Sequence, residues 1–296
     1  MRRAIAGVGI IVTICSVSLA AQWPKHPTPG VPRDADGRVR MDAPTPRTSD
    51  GKPDLSGNWI RVRGEGAFAA PELSGLVRDQ AATQTPAPPV DPNSPPIAAF
   101  WEISANIPGG LPFTPWAAEI KKQRMSLVQK DNPDAMCLPM GFLQFHQQPQ
   151  PRKIYQMPGL ILIEYEANYG LRHIYMDGRK LPPQGEPQPW WYGYSVGRWE
   201  GDTLVVETNN LRGAEESAND GWLDVNGSPY SSEAKFTERF RRPTYGRLSI
   251  DLTLEDPKAY TRTWTVRVDQ RLMPDEEPIE FICNENQQFR RKIKID

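Results

Sequence analysis

A chain of 296 residues with 38% hydrophobic and 24% charged residues has the balance of a globular protein, long enough for one large all-β domain or two small ones. Its 35 basic and 36 acidic residues leave a net charge of −1, so it lacks the basic face that a nucleic acid or an anionic membrane demands. The 31 prolines are about twice the ordinary share of roughly 5% and gather before residue 120, where regular structure should be sparse.

Residues 1–20 read as a secretory signal. Arg2 and Arg3 form a basic start, residues 4–14 an apolar core, and Ser18-Leu19-Ala20 a small-x-small cleavage site. The apolar run is shorter than the roughly 20 residues that span a bilayer. Ile14 before Cys15 does not suit a lipoprotein site, and no later stretch is apolar enough for a membrane helix. The mature chain is therefore expected to be periplasmic or secreted, after cleavage near Ala20. Cys137 and Cys283 then remain, and two cysteines in an oxidising compartment point to a disulfide. The alternative is two separate buried thiols. Neither cysteine has a C-x-x-C partner, and only His26, His146 and His173 accompany them, so no metal site is expected.

Residues 21–52 are proline-rich and polar, the composition of a linker or a wrapping arm. Regular structure should begin at PDLSGNW, with Trp59, Ile60 and Val62 entering a first strand. A loop and helix insertion is expected at about 64–150, within one domain covering 53–296. Residues 64–80 suit a short helix. The stretch 83–97 holds six prolines and cannot be a central strand or a helix interior. Residues 116–128 have helical spacing, with Trp116, Ile120, Gln123 and Leu127 on one side. Thr114 is placed to cap that helix, with Pro115 at its first position. Phe145-His146-Gln147 falls in or beside a loop.

From Lys153 the chain reads as antiparallel sheet. Runs at 160–166 and 171–176 make one hairpin and runs at 194–199 and 203–208 another, the second turning at Glu200-Gly201-Asp202. Residues 234–241 pair with 247–255; 262–271 and 279–284 follow, and 289–295 offers a last strand. Leu248, Ile250, Leu252 and Leu254 alternate with polar residues, giving one dry and one wet face. The expected fold is mainly β: an antiparallel, lipocalin-like or calycin-like barrel of about 8–10 strands with one or two short helices. A sandwich is the alternative, and closure is preferred because it removes exposed edges.

The stretches PDLSGNW, CLPMG, IYMDGRKLPP, GYSVGRWEGDTLVVET, GWLDVNGSP, TERFRR and DPKAYTRTWTV cover most of residues 53–283. Through them the chain resembles a family of secreted bacterial proteins of unassigned activity. Histidines often stand in that family where this chain has Gly227-Ser228-Pro229-Tyr230-Ser231, so a histidine site there does not carry over. Gly57-Asn58-Trp59 is similar to the opening of the first strand in lipocalin-like barrels.

Glu238 is the most unusual candidate. In Phe236-Thr237-Glu238-Arg239-Phe240, alternation puts the carboxylate on the face of both phenylalanines. Without a fixed cation its pKa should rise, as suits a general acid or base; paired with an arginine it would be structural. His173 shares a face with Leu171 and Tyr175 and is either a proton carrier or a hydrogen-bonded core residue. Trp190, Trp191, Tyr192 and Tyr194 suit a wall for an aromatic, sterol-like or sugar ligand, or a loop plugging the barrel mouth. Arg172, Tyr175 and Trp199 join them as candidate ligand contacts. Asp177, Arg179, Asp202 and Asp224 read as turn residues. Gly193–Gly197 matches G-x-S-x-G by letter, but Ser195 lies in a hairpin rather than a strand–turn–helix elbow.

The leading expectation is binding of a small apolar or aromatic molecule in the barrel cavity, without a cofactor. A cofactor-free acid/base enzyme using Glu238 and His173 is the alternative, and an envelope protein-interaction module a second. An enclosed cavity holding an inward carboxylate favours the enzyme, and a filled barrel with exposed tryptophans the interaction module.

Overall fold

The computed structural model describes residues 27–62, 94–141, 144–167 and 170–283. The signal segment, the helix expected at 64–80 and the strand expected at 289–295 lie outside the described residues. Nine strands close into a barrel in which each pairs with its neighbour in sequence and the last returns to the first. They are β1 (Gly57–Arg61), β2 (Arg152–Met157), β3 (Leu160–Tyr165), β4 (Gly170–Tyr175), β5 (Tyr194–Glu200), β6 (Thr203–Asn209), β7 (Lys235–Thr244), β8 (Arg247–Glu255) and β9 (Trp264–Leu272). Two helices accompany them, α1 (Pro115–Ser126) and the single-turn α2 (Gln144–Gln147). Thr114 accepts a hydrogen bond from Ala117 N at 3.3 Å and caps α1, with Pro115 at its first turn.

The antiparallel expectation needs one correction. β4 and β5 run parallel, while every other neighbouring pair is antiparallel. Parallel neighbours need a connection of a dozen residues or more, and residues 176–193 supply it. Their LPPQGEPQP run favours an extended crossing over a hairpin. The tight turn between β5 and β6 forms as its chemistry requires, with Gly201 at φ +59°. The strand expected at 279–284 does not form over 279–283. β9 already pairs with β1, so the closed barrel offers no edge for it.

Alternation sorts the barrel wall cleanly. Leu248, Ile250, Leu252 and Leu254 of β8 point inward with Phe236 and Phe240 of β7, and with Trp264, Val266 and Val268 of β9. Each large apolar side chain so buried contributes about 1.5–3 kcal/mol relative to exposure. The inward residues form two apolar clusters, one containing Phe236 and the residues packed on α1, the other containing Phe240, Trp59 and Phe145. These wall residues are almost wholly inaccessible to water. A water-filled lumen would leave their atoms accessible, so the barrel is packed with side chains. Residues 27–52 wrap it: Tyr245 N and Gly246 N donate to the carbonyls of Ala43 and Met41, and Arg47 pairs with Asp202 at 2.7 Å.

α1 buries Ala117 and Arg124 most fully; of its apolar side, Trp116 packs against the core while Leu127 is exposed. Arg124 stacks over Trp222 at 4.3 Å and donates to the carbonyls of Asp220, Gly221 and Gly227, fixing the 220–227 loop. Cys137 and Cys283 form a disulfide with their Cα atoms 5.6 Å apart. Among the described residues no helix is long and apolar enough to cross a membrane.

Candidate functional site

The polar centre of the barrel is Glu238, fully buried where the two apolar clusters meet. Strand alternation turns Arg172 of β4, Ser195 of β5 and Thr208 of β6 toward the same interior. The Arg172 guanidinium grips the carboxylate with both terminal nitrogens, one at 3.1 Å. It also donates to Ser195 Oγ at 3.2 and 3.1 Å and to Thr208 Oγ1 at 3.0 Å. His146 Nε2 lies 2.6 Å from Glu238 Oε1, on α2 within the barrel mouth. A neutral ring so placed carries its proton on Nε2 and donates it to the carboxylate.

Burial alone would push the Glu238 carboxyl up, but the Arg172 charge and the His146 hydrogen bond outweigh it and hold the pKa at about 2. Burial pushes His146 below its ordinary value; Glu238 opposes this, and Arg172 and Arg152 reinforce it. A neutral imidazole, an ionised carboxylate and a paired guanidinium follow.

Arg152 of β2 fixes α2 from below. Its guanidinium donates to the carbonyls of His146, Gln148 and Gln150, satisfying acceptors left over at the end of a one-turn helix. Gln270 of β9 adds a hydrogen bond to His146 O at 3.3 Å. The plug of the barrel is therefore α2 with residues 148–150, not the tryptophan loop.

The structure separates the residues that alternation on paper grouped together. His173 is exposed on the outer wall and does not meet Glu238; the histidine that does is His146. Arg172 and Trp199 face inward, Arg172 at the polar centre and Trp199 against the apolar cluster of Phe240, Trp59 and Phe145. Tyr192 is core, stacked on Phe145 at 4.4 Å. Tyr175, Tyr194 and Trp190 do come together outside, with ring centroids 5.2 and 5.6 Å apart. Arg179 covers Tyr175 at 3.8 Å, donates to Tyr194 Oη at 3.0 Å and pairs with Asp177, so this strip clamps the crossover onto the wall. Trp191 is covered by Arg212 at 4.7 Å. Ser195 lies within strand β5, fully buried, and forms no elbow.

Glu238 with His146 has the form of a carboxylate-oriented imidazole, but both groups are buried and Arg172 neutralises the acid. The trio links β4, β7 and α2 through one carboxylate. Among the described residues no group of three or more His, Cys, Asp or Glu is arranged to hold a metal ion.

An open cleft lies beside α2. A cleft of about 290 Å³ is walled by Phe100, Trp101, Val128, Met140 and Val225, with Gln144 of α2 among its lining. Its walls come from distant segments that tie to one another. Asn226 N donates to Trp101 O at 3.0 Å, and Gln129 Nε2 to Asn226 Oδ1 at 3.3 Å. Asp224 is a turn residue that also joins two of these segments. Its fully buried carboxylate accepts from Ser228 N at 2.9 Å and Ile103 N at 3.0 Å. Burial and the nearby Glu102 charge push its pKa up to about 6. Gly141 is required where it stands, since a Cβ there would lie 1.1 Å from Trp222 O.

Gln144 is only 1% exposed, and among the described residues neither its amide nitrogen nor its amide oxygen has a hydrogen-bond partner. Trp101 and Val128 of the lining are exposed, and so are Met125, Leu127 and Met136 in the neighbouring stretches of chain. None of the cleft residues was legible as a site in the sequence, because they are contributed by loops without period. Comparison with protein-family models, with curated proteins and with solved structures found no match.

Proposed function

We propose that this protein is an exported binding protein for a small, largely apolar or aromatic molecule, held in the cleft beside α2. The carrying observation is a cleft of about 290 Å³ lined by Phe100, Trp101, Val128, Met140 and Val225, with Gln129, Asn132 and Asp134 as its polar lining. Ligand sites are concave and mostly apolar, with a few placed polar groups, and run from about 300 Å³ upward. A small ligand suits that volume. Packing of the barrel interior supports the cleft over the lumen, since the inward side chains are almost wholly inaccessible to water. The signal-like residues 1–20 and the disulfide support an oxidising compartment.

The test is calorimetric titration of the protein with indole, comparing Trp101→Ala and Trp191→Ala. A stacked indole contributes about 0.5–1.5 kcal/mol beyond its buried area, so Trp101→Ala should weaken binding by roughly two- to tenfold. Trp191→Ala should leave it unchanged. The opposite pattern would return the site to the crossover loop.

A second reading has its own observation. Met125, Leu127, Val128 and Met136 are exposed in the stretches of chain that supply Val128, Gln129, Asp134 and Ala135 to the cleft, and exposed apolar groups of this kind suit a protein-docking patch. On that reading the protein is an envelope interaction module, and substitutions in these stretches would abolish a protein complex while indole binding persists.

A further inference from the structure

We propose that residues 284–296 seat Phe289 in the cleft beside α2, so that this stretch of the chain and the ligand compete for one site. The inference deepens the cleft reading and rests on it. It starts from the disulfide. Cys137 stands in sequence between Ala135 and Met140, both of the cleft lining, and the bond holds the Cα of Cys283 5.6 Å from that of Cys137. With consecutive Cα atoms about 3.8 Å apart, Cys283 lies within about 13 Å of Ala135 and about 17 Å of Met140. Phe289 follows six residues later, and six extended residues span about 20 Å, enough to cover either distance.

The sequence of this stretch matches what the cleft presents. It reads NENQQFRRKIKID, with Phe289, Ile293 and Ile295 as its apolar residues and four basic residues against two acidic ones. The cleft turns Phe100, Trp101, Val128, Met140 and Val225 toward an occupant, and among the described residues Asp134 is the only charged member of its lining. A phenyl ring placed there gains from buried apolar area and from contact with the Trp101 indole. Arg290 and Arg291, directly after it, bring positive charge toward Asp134, as complementary charges across an interface do. Trp101 and Val128 are the exposed side chains that such an occupant covers. Ligand and segment both use Trp101, so occupancy by one excludes the other.

A short tether gives an effective concentration of about 1 mM, so a segment with a dissociation constant of about 0.1 mM weakens ligand binding about tenfold. The experiment is calorimetric titration of the full chain with indole, comparing the unaltered protein with Phe289→Ser and Phe289→Leu. The disulfide is kept, since its loss would alter the cleft wall as well as the tether. Phe289→Ser should bind indole about tenfold more tightly, and Phe289→Leu, which retains an apolar side chain, should gain less. A synthetic peptide of residues 284–296, added at the effective concentration of the tether, should return the Phe289→Ser protein to the affinity of the unaltered one. Equal affinities in all three proteins, or weaker binding by Phe289→Ser, would overturn the proposal and leave the cleft reading standing. So would a peptide that fails to displace indole. An indole affinity of the unaltered protein that falls as its own concentration rises would place the segment in the cleft of a second copy and overturn the contact within one chain. Failure of indole to bind the unaltered and Phe289→Ser proteins alike would overturn the cleft reading itself, and this proposal with it.

Discussion

Arg172 on β4 grips Glu238 on β7 across the interior of the barrel, with both side chains sealed from water. The carboxylate also accepts from His146 on the plug, so one acid holds three parts of the chain together. Buried ion pairs of this kind add little over an apolar pair of similar volume, because desolvation offsets most of the attraction. Removal of one partner is the damaging event.

Glu238→Gln should therefore destabilise the protein by about 3 kcal/mol or more, since the Arg172 charge stays buried without its counter-ion. Urea unfolding measures this. Glu238→Leu combined with Arg172→Met should recover a good part of the loss, although His146 still lacks its acceptor. Equal losses in the single and double variants would mean that the pair is not coupled.

The pH profile should show two opposing arms. Glu238 has a folded pKa of about 2 against an ordinary 4.5, so its stabilisation is present above 4.5 and is lost as pH falls toward 2. His146 adds a loss in the same sense, beginning below its ordinary 6.5, because the buried ring must charge. Asp224 acts the other way. Its pKa rises from 3.8 to about 6, so its contribution is intact below 3.8 and is lost as pH climbs to about 6. A shift of that size corresponds to about 2–4 kcal/mol. Asp224→Asn should lose one backbone acceptor at every pH, yet gain stability relative to the parent between about pH 4 and 6. Parallel urea-midpoint curves for the two proteins across that window would show that Asp224 is not shifted.

The disulfide joins residues 146 apart in sequence, and the chain-entropy model gives about 5 kcal/mol as the upper stabilisation for such a loop. Thiol titration of denatured, unreduced protein should find neither Cys137 nor Cys283 free. Cys137→Ser with Cys283→Ser should lower the urea midpoint, and because Asp134, Ala135 and Met140 on either side of Cys137 line the cleft, it should weaken indole binding too. Unchanged affinity in the folded variant would separate the disulfide from the site.

Val128 combines three unfavourable features, since it is β-branched, 82% exposed and held at φ +52°. Such a residue in the left-handed region is strained by about 1–2 kcal/mol. Val128→Asn should raise stability by about 1 kcal/mol, because asparagine tolerates that conformation, and should weaken binding of indole at the cleft. A stability gain without loss of affinity would remove Val128 from the binding surface.

Much of the barrel was legible because alternation is a local signal. β7, β8 and β9 declare their inward faces residue by residue, and Glu238 falls inward by the same count. Its partners were not legible: Arg172 lies 66 and His146 92 residues away, and only barrel closure brings them together. His146 sits on a helix of one turn, too short to show a period, so it read as loop. Arg124 and Arg152 were missed because arginine signals a surface, whereas here carbonyl oxygens satisfy it in the interior. The aromatic residues divide for a geometric reason: Tyr192 turns to the core, while Trp190 and Tyr194 meet Tyr175 on the outer wall.

The central claim is that the cleft, not the barrel lumen, takes the ligand, and methionine methyl NMR during an indole titration tests it most directly. Met140 lines the cleft and also belongs to the barrel core cluster around Phe240, Met176 packs against that cluster without lining the cleft, and Met157 lies exposed at the end of β2. The account predicts that the Met140 methyl shifts in a saturable way while Met176 and Met157 stay still. A shift of Met176 with Met140 unmoved would place the ligand in the barrel and contradict the account.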